Sequence, residues 1–142
     1  MVGPGEASAE QVATAEEVGR GLAARGAVVV CGGLGGVMAG ACRGAKSAGG
    51  TTVGILPGLD RAAANEHVDV AVATGLGEAR NALVARAADA LVAVGGGFGT
   101  LSEIALALKA GKPVVGLGTW DLDGAGIRAA GSAGEAVDLA LG

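Results

Sequence analysis

Arg80 and Glu103 are the charged side chains whose setting in the sequence best suits chemistry. From Leu76 to about Ala87 the spacing predicts a helix, with Leu76, Ala79, Leu83, Val84 and Ala87 as its apolar stripe. At about 100° per residue, Arg80 falls in the middle of that stripe. A guanidinium buried there needs an anionic partner. Asp89, Glu78 or another carboxylate could supply one as a structural pair. An anionic ligand could supply it instead, because Arg80 sits in the first turns of the helix, near a cleft edge. Glu103 closes Thr100-Leu101-Ser102-Glu103, which has the spacing of a capping box, and could do no more than satisfy a helix start. It falls opposite the stripe of Leu101, Ile104, Ala105 and Leu108, away from the core. Beside a bound phosphate the same carboxylate could orient or deprotonate a water.

Such a phosphate has an obvious place to bind. Leu91 to Val94 is a short apolar run that breaks at Gly95-Gly96-Gly97-Phe98-Gly99, and Thr100 opens a helix to about Ala110. A helix N-terminus presents free amides and partial positive charge, and glycines let the backbone approach an anion closely. The same logic occurs earlier, where Val28 to Cys31 leads into Gly32-Gly33-Leu34-Gly35-Gly36-Val37-Met38. Two such turns suggest one cleft with anion contacts from two sides. The candidate ligand contacts are Gly32, Gly33, Gly35, Gly36, Met38, Asn81, Gly96, Gly97, Gly99 and Thr100. Neither turn has the spacing of a dinucleotide fingerprint followed by its acidic residue, and neither holds a P-loop lysine. A bare phosphate or a mononucleotide fits better than NAD or ATP with magnesium.

The elements that must position these residues alternate in type. Ser8 and Gln11 make a capping box for a helix reaching about Arg25, which Gly26 ends. Strands are predicted at 27–31, 51–56, 68–72, 91–94 and 113–117, with helices between all but the second and third, which a turn and loop join, and with a last short helix capped by Ser132. The 118–126 stretch reads as loop. Alternating strands and helices give an α/β, Rossmann-like, doubly wound parallel sheet with helices on both faces. Ligands then sit beyond the carboxyl ends of the strands, where both glycine turns lie.

The 142 residues make a single domain, 1–142, large enough to bury a core. With only Phe98 and Trp120 as aromatics, small aliphatic side chains must fill it. The 29 glycines fall mostly at predicted strand ends and turns. A net charge of −4 and no basic stripe argue against a nucleic-acid partner. No apolar run reaches membrane-spanning length. Cys31 and Cys42 lack metal-site spacing, so they read as reduced thiols of a cytoplasmic protein. Neither a metal nor a cofactor is expected.

The stretch Gly95-Gly96-Gly97-Phe98-Gly99-Thr100-Leu101-Ser102-Glu103 resembles the signature of the "lonely guy" proteins, often mislabelled lysine decarboxylases. Gly32 to Gly40 is similar to their first glycine loop, and the resemblance covers nearly the whole chain. With Gly77-Glu78-Ala79-Arg80-Asn81 it is closest to a small bacterial branch similar also to molybdenum-cofactor carrier proteins. The wider superfamily includes the DNA-processing protein A fold. The resemblance implies a nucleoside 5'-monophosphate phosphoribohydrolase releasing free base and ribose 5-phosphate, with Arg80 and Glu103 catalytic and the glycine turns on the phosphate. The alternative it implies is a non-enzymatic carrier of a phosphorylated pterin. It also implies a homodimer or homotetramer. Three positions depart from the enzymes, which have proline at Gly95, lysine at Asn81 and glutamate at Ser102. The last two remove one positive and one negative group, which bears on hydrolysis but not on phosphate binding by backbone.

One expectation concerns the start of the sheet. Doubly wound sheets open with a central strand, yet only Met1 and Val2 precede Gly3-Pro4-Gly5. A shortened first strand at the sheet centre is expected, in a chain shortened at its N-terminus.

Overall fold

The computed structural model describes all of residues 1–142. Six short parallel strands form it: β1 (Val29–Cys31), β2 (Thr52–Leu56), β3 (Val70–Ala73), β4 (Leu91–Val94), β5 (Val114–Leu117) and β6 (Ile127–Ala129). Five α-helices lie between and after them: α1 (Ala9–Ala24), α2 (Val37–Ser47), α3 (Arg80–Ala87), α4 (Phe98–Lys109) and α5 (Ala133–Leu141). The strands run β1-β2-β3 in one half and β4-β5-β6 in the other. Val2 joins the halves. Its amide donates to Val92 O at 2.9 Å, its carbonyl accepts from Val94 N–H at 3.0 Å, and Met1's amino group donates to Val30 O at 2.9 Å. Met1 and Val2 therefore lie at the sheet centre, where the doubly wound pattern puts its first strand.

Helices cover both faces. Residues of α1, α2 and α5 build one core with Val29, Cys31, Val92, Val94 and Val115. Residues of α3 and α4 build the other, with Val2, Ile55, Leu91, Ala93 and Val114. Glycine is what lets an aromatic-poor chain pack this tightly. A Cβ at Gly19 of α1 would overlap the carbonyl of Ala41, and one at Gly44 of α2 would overlap that of Glu16. The two helices thus touch backbone to backbone. These glycines serve helix packing, a role beside that of the many that mark strand ends and turns. At the rim of the same contact Glu16 accepts from Arg43 at 2.7 Å and Arg20 at 3.1 Å.

Ser8 and Gln11 form their reciprocal capping box, and Ser132 caps α5. Two boundaries differ from expectation. A 3-10 turn over Gly77–Ala79 precedes α3, which starts at Arg80. Helix α4 starts at Phe98, two residues before Thr100. The strand β6, within 127–129, was not expected. It pairs parallel to β5, a non-local contact. Lys112 anchors the far end of α3 by donating to the carbonyls of Ala85, Arg86 and Ala88.

Candidate functional site

The site is built where β1 and β4 end beside α3. Strand β4 runs into Gly95, whose φ of +69° suits glycine and is closed to proline. Gly97 is the N-cap of α4 and offers no side-chain cap. The amides of Phe98, Gly99 and Thr100 have no partner, and the first bond of the helix is Leu101 N–H to Gly97 O at 3.0 Å. By contrast, α1 and α5 are capped by serines. The turn before α4 is thus an open cluster of donors carrying the positive end of a helix dipole.

The first glycine loop is more occupied. Gly33 packs on Leu56 and Gly54, while its amide donates to Cys31 Sγ at 3.3 Å. Gly35 and Gly36 back onto Gly5 and Pro4, and Pro4 O takes the Val37 amide at 3.1 Å. Gly32 and Met38 face inward. A Cβ at Gly32 would lie 2.7 Å from Arg80 Nη2 and 2.9 Å from Met38 Sδ. The structure thus brings Gly32, Met38 and Asn81 to Arg80, and it leaves Gly33, Gly35 and Gly36 holding the loop.

Arg80 is 9% exposed and pairs with no carboxylate. Asp89 and Glu78 do not partner it. Its Nη1 donates to Asn81 Oδ1, while Nε is buried without any hydrogen-bond partner. From Asn81 a chain of bonds continues to the second turn: Asn81 Nδ2 donates to Ser102 Oγ at 3.1 Å, and Ser102 Oγ donates to Gly99 O at 2.7 Å. Two of the three positions that depart from the enzymes, 81 and 102, are therefore bonded to each other. They hold Arg80 and the open turn in a fixed relation.

Glu103 corrects the sequence expectation. It neither caps the helix nor points away from the core. Because α4 begins at Phe98, Glu103 lies in its second turn and is 7% exposed. Burial pushes its carboxyl up to about 7, and the positive charges of Met1's amino group and Arg80 pull it the other way. Thr100 is likewise buried inside α4. Cys31 and Cys42 are free thiols with sulfurs 3.5 Å apart. The contact with Cys42 brings the Cys31 thiol down to about 7, and the Cys42 thiol is driven up in turn. No group of three or more His, Cys, Asp or Glu side chains is arranged to hold a metal ion. No helix is long and apolar enough to cross a membrane.

Sequence reasoning missed Trp120. Its indole N–H donates to Gly97 O at 3.1 Å, and its ring lies against Gly96, where a Cβ would be 2.8 Å from Nε1. It stacks on Phe98 with centroids 6.1 Å apart and planes at 27°. The usable signal was that the only two aromatics flank the same predicted sheet edge.

A doubly wound parallel sheet with a glycine-rich turn and an open helix start at its carboxyl edge defines a Rossmann-like ligand-binding protein. Within that class the chain belongs to the SLOG cluster4 family, whose model matches residues 1–137. It is similar to the molybdenum cofactor binding protein from the phototrophic bacterium Rippkaea orientalis. That structure is 40% identical with a TM-score of 0.91, over 96% of this chain and 90% of that one. It is similar also to the molybdenum cofactor carrier protein from Chlamydomonas reinhardtii, 41% identical with a TM-score of 0.86 over the same shares. A probable cytokinin riboside 5'-monophosphate phosphoribohydrolase of Oryza sativa subsp. japonica is 38% identical over 104 residues, which are 71% of this chain. The match spans only 42% of that rice protein.

Proposed function

We propose that this protein binds a phosphorylated heterocycle and acts as a carrier of a molybdenum-cofactor-type phosphorylated pterin. The observation that carries this reading is the buried Arg80 guanidinium, which lacks a carboxylate and keeps an unpartnered Nε. Burying a charge without a paired carboxylate costs stability, and an anionic ligand would offset that cost. An anion on the free amides of Phe98, Gly99 and Thr100 would do so, with the phosphate held by backbone and its charge offset by Arg80. The carrier reading draws on the similarity to the two molybdenum cofactor proteins. It also draws on Asn81 and Ser102, two uncharged side chains bonded to each other where the enzymes carry charged ones.

A second reading, nucleoside 5'-monophosphate phosphoribohydrolase, is favoured by Glu103. A carboxyl near 7 beside Arg80 could assist departure of a base and position water at an oxocarbenium-like sugar. Incubation with nucleoside monophosphates separates the readings. The carrier binds without releasing free base, and release of base and ribose 5-phosphate would establish the hydrolase. Self-association, through the α3 region where Leu76 and Leu83 are exposed, and a cytoplasmic location are part of the same proposal. Light scattering that reports a monomer at working concentration would remove the first.

A further inference from the structure

The phosphate site described above makes no use of the chain's two aromatic side chains, and both stand at its edge. Phe98 is the first residue of α4 and is 84% exposed. Burying a phenylalanine side chain stabilises a protein, and this one forgoes most of that gain. Its neighbour is held firmly, because Trp120 is pinned to Gly97 O and seated on Gly96. Phe98 stacks on that fixed indole and leaves the rest of its ring to solvent. Beside it opens a cavity of about 410 Å³, lined by Glu78, Asn81, Phe98, Gly99 and Ser102 among others. That volume is in the range of small-molecule sites, and its walls differ in chemistry. One wall is aromatic and one is a carboxylate. Another is the amide of Asn81, itself 7% exposed. The unpartnered amides of Phe98, Gly99 and Thr100 belong to the same turn.

We propose that Phe98, backed by Trp120, is the stacking platform for the planar ring of the ligand, and so selects heteroaromatic phosphates over sugar phosphates. The inference rests on the phosphate reading given above and adds the half of the ligand that reading leaves open. A ring on Phe98 and a phosphate on the amides of the same helix turn would be gripped at both ends. Glu78 would accept from a ring amino or imino group, and the second N–H of Asn81 would donate to a ring acceptor.

Trp120 is the single tryptophan, so its fluorescence reports on this stack. The test titrates wild type, Phe98→Ala and Phe98→Tyr with AMP, ribose 5-phosphate and adenosine, reading Trp120 emission and calorimetric heat. AMP and adenosine are expected to change Trp120 emission, and ribose 5-phosphate is not. Phe98→Ala should weaken AMP by about tenfold or more, as loss of one base–aromatic stack does, and leave ribose 5-phosphate unchanged. Phe98→Tyr should keep AMP affinity. Equal losses for AMP and ribose 5-phosphate in Phe98→Ala, or no loss for either, would overturn the proposal. A shift to a smaller species in light scattering, with all three probes weakened alike, would assign Phe98 to a subunit contact and overturn it too. If adenosine binds as tightly as AMP and ribose 5-phosphate fails to bind, the phosphate reading falls while the platform stands. If none of the probes binds wild type, both fall.

Discussion

Lengthening the central strand should stabilise the protein measurably. Val2 occupies one position between β1 and β4, and on its amino side a slot of about 410 Å³ follows, lined by Leu22, Val28, Ala87, Val92 and Leu141 among others. In a parallel ladder the two backbone groups of one residue face the same neighbour. Val92 O meets Val2, so Val92 N–H points into the slot. Val30 O meets Met1, so Val30 N–H and, two residues back, Val28 O point into it from the other side. Four apolar residues placed before Met1 would pair these groups at about 0.5–1.5 kcal/mol each. Two or three buried side chains would add about 1.5–3 kcal/mol each. Ordering the added backbone costs about 1–2 kcal/mol per residue. The extension would also turn Met1's buried amino group, whose pKa burial lowers, into a neutral amide. A net gain of about 2–4 kcal/mol corresponds to a rise of roughly 5–12 °C for a domain of this length. The assay is thermal denaturation of this chain, of a chain extended by Val-Val-Ala-Val, and of one extended by Ser-Gly-Asp-Ser. The apolar extension should raise the midpoint and the polar one should not. Equal midpoints for the two extensions would refute the reasoning.

Three further outcomes follow from the packing and the charges. The Glu103 carboxyl titrates near 7 in the fold against about 4.3 unfolded, so the folded state holds the extra proton between those values and stability falls as pH rises through that window. Glu103→Gln should therefore be more stabilising at pH 8 than at pH 4 in urea titrations, and the same difference at both pH values would contradict the assignment. Gly44→Ala should destabilise by about 2–4 kcal/mol, because its Cβ meets backbone rather than a movable side chain; a urea midpoint within error of wild type would show that α1 and α2 can part cheaply. Gly95→Pro, which writes in the residue of the similar enzymes, should abolish cooperative unfolding, since φ there is +69°. A cooperative transition in that variant would show that the turn can adopt a second conformation.

What could be read in the sequence was local. Ser8 with Gln11, Ser132 with Glu135, and the glycine stops at Gly26 and Gly111 act within a few residues, and each stands where its spacing put it. The central position of Met1 and Val2 was legible because doubly wound topology dictates it. Helix α4 misled because Thr100 and Glu103 imitate a cap, while the helix had already begun on Gly97 with its amides left open. That shift turns Glu103 inward. The strand at 127–129 sits in a glycine-rich tail, and its pairing with β5 is not written in its own residues. Nor could spacing reveal that Trp120 reaches Gly97, or that Gly19 and Gly44 face each other's helices, since both are long-range contacts. Arg80 was legible as a misplaced charge. Its partner was not, because Asn81 satisfies one arm and leaves Nε with none.

The central claim is that Arg80 and the open turn before α4 hold a phosphate, and calorimetry on wild type and Arg80→Met tests it most directly. Methionine keeps an apolar stem in place and removes a buried charge that no carboxylate offsets, so Arg80→Met should melt no lower than wild type. Wild type should bind AMP at least about tenfold more tightly than adenosine, the usual worth of a charge-assisted contact. In Arg80→Met that preference should shrink severalfold, the amides of the open turn keeping the remainder. An Arg80→Met protein that is folded and keeps the full preference for AMP would contradict the account.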